Sequence, residues 1–344
     1  MGIGVRIGIF DQNDRGLQPL REQYRERLEL AEFYDRNGFY CYHTSEHHST
    51  PLSTAPSPGI FLSALAQRTT RILLGPLVYL LPLYHPLRLA EEVCMLDHLS
   101  GGRFQLGVGR GASPHELAYL GVNIADAQDM YVEALDVMLK AFGSEQLDHA
   151  GKHWRFDGVP IEMKPLQRPH PPLWYAVGAP ESVSWPARND VHVVCAGPAS
   201  RVGEITSRYR EELRGLGQTL PDDRCLGLNR YVVVGRTDGE AVDRGRRAWP
   251  LFHHHFWKLW KRHGTEPRTL KLPAEFDALL ASGAAVAGSP ATVRDALQAQ
   301  IDEAGVTYFI GSFTFGSMSF ADTLASLELF TEGVMPALRR AERD

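Results

Sequence analysis

Thr44-Ser45-Glu46-His47-His48 places two imidazoles beside a carboxylate. Imidazole changes charge near neutral pH, so His47 is the residue best suited to give or take a proton during turnover; the competing reading is a loop histidine held only by hydrogen bonds. His43, His47, His48, His85 and His98 also raise a metal site. The nearest useful pair, His43 and His47, is split by a strand end, so no metal ligand is assigned. His253-His254-His255 falls in a helical stretch, where neighbours point about 100° apart and cannot meet on one ion. That triplet reads as a partly exposed helix turn or the flank of a pocket.

Gly107-Val108-Gly109-Arg110-Gly111-Ala112 reads G-x-G-x-x-A after a strand-like segment, the permissive form of the dinucleotide fingerprint. Three strands precede it, and Pro114 stands where the helix should begin, so that use is disfavoured. The arginine between the glycines offers another: small residues admit a phosphate and the guanidinium binds it bidentately. Close packing of backbone against a neighbouring strand is the plain alternative. Gly178-Ala179-Pro180-Glu181-Ser182 opens a predicted helix whose free N–H groups suit an anion, with Ser182 as an added donor; an ordinary helix cap fits as well. The apolar stretch 75–86 is either a floor beneath a planar ring or a buried strand.

These groups need elements to hold them. Strand patterns fall at residues 5–10, 39–43, 72–81, 104–108, 173–177, 191–195, 228–234 and 306–309. Helical periods fall between them at 20–37, 56–68, 86–99, 126–141, 181–188, 202–213, 239–260 and 291–303, and 320–340 closes the chain. Eight strands, each followed by a helix, predict a single α/β domain over 1–344, a (β/α)8 TIM barrel, and place His47 and the glycine loops at its C-terminal mouth. Two stretches break the rhythm as insertions. Residues 143–172 fit a short hairpin plus an extended segment, and 262–290, rich in Gly, Ala and Pro, reads as a lid near the mouth.

Over 344 residues, 44% hydrophobic and 22% charged composition matches ordinary globular proteins and excludes a disordered or fibrous chain. The net charge of −5, without a basic stripe, excludes nucleic acid as a main partner. Cys41, Cys94, Cys195 and Cys225 are too scattered for a disulfide framework and read as reduced core thiols. Residues 1–6 run into a strand without a leader. The longest apolar run, 72–83, contains two prolines and falls short of the about 20 residues of a membrane helix. A cytoplasmic protein without membrane contact is expected.

Together these residues resemble the bacterial luciferase-like flavin-dependent monooxygenase family. The resemblance covers nearly the whole chain. It rests on Glu46-His47-His48, the stretch 75–86, Arg88 with Ala90-Glu91-Glu92, Leu96-Asp97-His98-Leu99-Ser100-Gly101-Gly102-Arg103-Phe104, Gly109-Arg110-Gly111, Gly288-Ser289-Pro290 and Val334-Met335-Pro336. It implies His47 as the catalytic histidine and Leu77 and Val78 as the cis peptide under the isoalloxazine. It further implies Arg110 as the phosphate arginine beside Gly109, and Gly178, Ala179 and Ser182 as the phosphate loop. The reactive cysteine of luciferase falls on Gly109, which argues against light emission without disturbing monooxygenation.

The implied chemistry uses reduced FMN and O2, through a C4a-hydroperoxide of the flavin, to oxygenate a small, mostly apolar organic substrate. No second nucleotide domain is visible, so a separate NAD(P)H:flavin reductase is the implied partner. A homodimer is implied across helices 56–68 and 86–99, which carry Ile60, Phe61, Leu62, Leu65, Leu89, Val93 and Met95. The rivals are an F420-dependent oxidoreductase of the same barrel family, a non-catalytic flavin-binding subunit, and a metal-dependent barrel hydrolase. Glu46-His47-His48 favours the FMN reading.

Overall fold

The eight expected strands form a parallel ring: β1 (Arg6–Asp11), β2 (Cys41–Thr44), β3 (Leu73–Pro76) with its continuation β4 (Tyr79–Leu80), β5 (Leu106–Gly109), β8 (Leu173–Ala176), β9 (His192–Cys195), β10 (Leu226–Val234) and β12 (Tyr308–Ser312). The computed structural model describes residues 4–267 and 271–340. The leader reading at residues 1–3 and part of the second insertion, 268–270, therefore lie outside the described residues. Strand order runs β3-β2-β1-β12-β10-β9-β8-β5-β4, and a Leu74–Phe104 bridge joins β3 to the segment entering β5. Register is set by pairs such as Ile9 with Tyr42, Trp174 with His192, and Gly227 with Tyr308.

Strands this short are buried on both faces, which is why they read as apolar runs rather than alternating ones. Every residue of β2 is buried, His43 and Thr44 included. Inside the ring lie Cys41, Trp174, Val194, Cys225, Tyr308 and Ile310. Outside it, helices α1 (Leu20–Arg36), α2 (Pro58–Ala66), α3 (Pro86–Leu99), α4 (Pro114–Tyr119), α5 (Ala127–Gly143), α6 (Ser184–Arg188), α7 (Ala199–Gly215), α8 (Asp238–Arg262), α9 (Phe276–Ala281), α10 (Pro290–Ala304) and α11 (Phe320–Gly333) cover the strands. Glycines let β3 and β5 approach: a Cβ on Gly107 would stand 2.0 Å from the Pro76 carbonyl oxygen. The stretch 96–104 also has structural work. Asp97 accepts from the Gln167 amide at 2.8 Å and from its side chain at 2.7 Å, and Arg103 donates to the carbonyls of Ala66, Thr69 and Ile72.

The insertion at 143–172 contains the antiparallel hairpin β6 (Gln146–Ala150) and β7 (Arg155–Pro160). It leaves the C-terminus of α5 and climbs that helix. At its turn the Lys152 ammonium meets Asp129 at 2.9 Å, and Glu133 accepts the backbone N–H groups of Lys152, His153 and Trp154.

Several expectations are corrected. In the segment 262–290, read as an insertion and lid near the mouth, the described residues hold elements the sequence reading did not place: α8 runs on to Arg262, α9 follows, and β11 (Ala285–Gly288) pairs in parallel with the C-terminal part of β10. The helix expected at 181–188 is a 3-10 turn, Pro180–Val183, followed by the five residues of α6, with a second proline, Pro186, inside them. The final helix ends at Gly333. Pro114 does not block a helix but starts α4 from its first turn, where the missing N–H costs nothing. Of the apolar residues expected at a dimer surface, Phe61, Leu62, Leu65, Leu89 and Val93 are core. Ile60 (75% exposed) and Met95 (52%) face outward, joined by Leu99 (49%).

Candidate functional site

Because the strands are parallel, the segments after β1, β2, β3, β5 and β8 meet at one end. A cavity of about 470 Å³ opens there, lined by His47, Leu77, Val78, Gly109, Arg110 and Ser182 among others. Gly178 and Ala179 sit on the same loop as Ser182 but are not on the cavity wall, which that segment builds with Tyr175, Ala176 and Ser182. The Leu77–Val78 peptide is cis, as the resemblance implied. Gly109 has a direct reason to be glycine: a Cβ there would stand 2.5 Å from Cγ2 of Val78. Arg110 is exposed and donates only to the neighbouring Gly111 carbonyl, at 3.4 Å. With no ion pair among the described residues, its guanidinium is free for an anion.

His47 is held from an unexpected direction. Its Nδ1 lies 3.2 Å from both carboxylate oxygens of Glu116, and Glu116 Oε2 also accepts the His48 backbone N–H at 2.7 Å. With Nδ1–H donated to Glu116, Nε2 is the nitrogen left to exchange a proton. Burial lowers the affinity of His47 for a proton, but the charge and hydrogen bond of Glu116 raise it above the ordinary range. Burial works the other way on Glu116, yet His47 and the His48 amide hold its carboxyl below the usual value.

Glu116 was missed in the sequence, although a signal existed. Ser113-Pro114-His115-Glu116 is the start of a helix with a serine cap and a glutamate at the third position. Ser113 Oγ does accept from the Glu116 amide, at 3.4 Å, while the glutamate side chain turns to the histidines instead of back to the cap.

Glu46 is a brace. Its side chain is wholly buried, binds His48 Nε2 at 2.8 Å through Oε1 and accepts the Leu80 amide at 3.0 Å through Oε2. It therefore ties the His47 loop to β4, immediately after Leu77 and Val78. Burial raises its pKa, opposed by these hydrogen bonds.

His43, His85 and His98 do not gather with His47 and His48. His43 points into the ring, 3.0 Å from the Tyr308 hydroxyl, and burial pushes it down to about 3. His85 packs on Phe156, and His98 meets the Lys164 carbonyl. The triplet is a partly exposed helix turn: His254 is exposed, while His255 is buried with Nδ1 3.4 Å from Asp14.

A second cavity, about 350 Å³, adjoins the first and shares Phe10, His47 and Ala112 with it. Its wall is largely apolar and comes from α8 and from the segment that follows it, with Leu52, Phe252, Phe256, Leu259, Trp260 and Leu272. His47 thus stands on the wall between two spaces, one with a free arginine and one without.

Residues 5–308 match the family model of luciferase-like monooxygenases. The chain is 44% identical over 318 residues to the uncharacterized protein y4wF of Sinorhizobium fredii, covering 91% of this chain and 92% of that one. It is 32% identical over 358 residues to the oxygenase component of the flavin-dependent trigonelline monooxygenase of Acinetobacter baylyi, covering 99% and 97%. Among solved structures, the monooxygenase RslO1 of Streptomyces bottropensis superposes with a TM-score of 0.86 at 25% identity, covering 96% of this chain and 99% of that one. No helix among the described residues is long and apolar enough to cross a membrane.

Proposed function

This chain belongs to the luciferase-like monooxygenase family, and from that premise we propose that it is an FMN-dependent monooxygenase acting on a small, mostly apolar organic substrate. The observation that carries this reading is the junction of the two cavities at His47, whose ring is oriented by Glu116. The first cavity fits the flavin. Arg110 and Ser182 would hold its phosphate, with Gly178 and Ala179 shaping the loop behind Ser182, and Leu77, Val78 and Gly109 would lie under the ring system. Bound there, reduced FMN supplies the electrons that activate O2 for transfer of one oxygen atom to the substrate. His47 Nε2 holds or delivers the proton at the point where the two spaces meet. The apolar walls from α8 and the segment after it keep water from that point.

Reduced flavin comes from a separate NAD(P)H:flavin reductase in this reading, in line with the oxygenase-component name of the trigonelline relative. The outward apolar residues Ile60, Met95 and Leu99 support a homodimer through α2 and α3. A cytoplasmic setting follows from a diffusible reductant. The test is product formation from candidate substrates with reduced FMN and O2, set against reduced F420 without O2. Oxygen-dependent product with FMN alone supports the reading. Hydride transfer from F420 alone would replace it with the deazaflavin alternative.

A further inference from the structure

We propose that the second cavity selects a neutral mono- or bicyclic molecule bearing a hydroxyl or carbonyl oxygen as the substrate. This rests on the monooxygenase reading for its role as substrate, but not for the ligand chemistry. At about 350 Å³ the cavity lies near the lower end of the roughly 300–1,000 Å³ range of small-molecule sites. Phe10, Phe252, Phe256 and Trp260 line it with aromatic surface, which suits flat or ring-shaped molecules over flexible chains.

The charged groups of the wall are engaged or turned away from the space. The Glu116 carboxylate already accepts from His47 and from the His48 amide. Arg230 also lines the cavity, but its guanidinium is buried against α10, donating to the Gln300 side chain and the Asn229 carbonyl with Nη2 left without a partner, and the residue is only 1% exposed. With Arg230 buried in this way, a substrate carboxylate would reach no Arg or Lys cation among the described wall residues, and an unpaired buried ion is far more costly than a neutral hydroxyl. A cation would meet aromatic faces, but the nearest carboxylate is engaged by His47 and the His48 amide.

Polar groups remain open on the same wall. The Tyr231 hydroxyl and the Gln12 side-chain amide make no hydrogen bond among the described residues, and both line the cavity. The Tyr231 ring is fixed edge-on by Trp249 at 5.0 Å and by Phe252 and Phe315 at 5.3 Å. A donor held this rigidly in an apolar space, the Tyr231 hydroxyl, matches one oxygen acceptor on the ligand.

Calorimetric titration of the protein in saturating FMN with three isosteric bicyclic probes tests this: 2-naphthol, 2-naphthoate and N-methylquinolinium. The expected result is 2-naphthol binding at least about tenfold more tightly than either ion. Tyr231→Phe should weaken 2-naphthol about five- to tenfold and leave naphthalene unchanged. Phe256→Arg, at a partly exposed position that tolerates a long side chain, should reverse the order in favour of 2-naphthoate. Equal or tighter binding of either ion by the unmodified protein, no saturable binding of 2-naphthol, or indifference to both substitutions would overturn the proposal. Binding is read without turnover, so a failed oxygenation assay with intact probe selectivity would sink the catalytic reading alone.

Discussion

Both carboxylate oxygens of Glu116 stand 3.2 Å from Nδ1 of His47, across 69 residues of chain. The pair joins the loop after β2 to the short helix after β5, fixes the imidazole between the two cavities and sets which ring nitrogen is free. It converts a histidine whose role is open in the sequence into one with a defined orientation and a raised proton affinity.

His47→Asn keeps a side chain able to donate to Glu116 while removing the titratable proton. Turnover should fall by about 10²–10⁴-fold, with FMN affinity and thermal midpoint little changed. Steady-state rates alongside a thermal melt check this. Lost stability with a normal rate per folded molecule would mark His47 as structural. His48→Asn is the control and should affect rate less.

Glu116→Gln removes one charge of the pair. His47 titrates above its ordinary 6.5 when folded, so its stabilisation is full below 6.5 and fades as pH rises through the folded value. Glu116 titrates below 4.5, so its share is full above 4.5 and fades as pH falls through its lowered value. The variant's stability deficit should therefore be largest between pH 4.5 and 6.5, on the order of 1 kcal/mol. The His47 transition in the pH–rate profile should move to lower pH. Denaturant melts and rates across pH 4–9 read both, and a profile identical to the unmodified protein's would dissociate Glu116 from the proton at His47.

Arg110→Ala should weaken FMN binding by roughly 1.5–3 kcal/mol, the scale of a charge-assisted hydrogen bond. Riboflavin, which lacks the phosphate, should bind both proteins equally. Equal losses for the two ligands would mean that the arginine supports its loop.

Gly109→Ala places a methyl group against Cγ2 of Val78. We expect a stability loss of about 1–3 kcal/mol from overpacking. Val78→Ala in the same chain should recover part of it, and a double-mutant cycle measures the coupling. Purely additive losses would exclude the contact as the cause.

The exposed Ile60, Met95 and Leu99 lead to an oligomeric expectation. Light scattering should show a dimer, its two-fold interface burying well over about 1,000 Å², and Ile60→Asp should shift it to monomer. A monomer at micromolar concentration from the unmodified chain would remove the dimer.

The barrel itself was legible in the sequence because strands buried on both faces leave apolar runs, and the helices between them keep their own period. The position of His47 followed from that pattern, since any residue just past a parallel strand lands at the mouth. So did the closeness of Gly109 and Arg110 to it. What lay beyond reach was non-local. The four residues of β11, Ala-Val-Ala-Gly, hold one strand-favouring residue, Val286, too few to read as a strand, and become one because the end of β10 offers them an edge. Apolar residues on α2 and α3 look alike in sequence, and only packing decided that Phe61 is core while Ile60 is exposed. The partner of His47, the freedom of Arg110 and the open hydroxyl of Tyr231 belong to the tertiary structure for one reason: each depends on which groups from distant segments come within hydrogen-bonding distance, and local preferences carry no information about that.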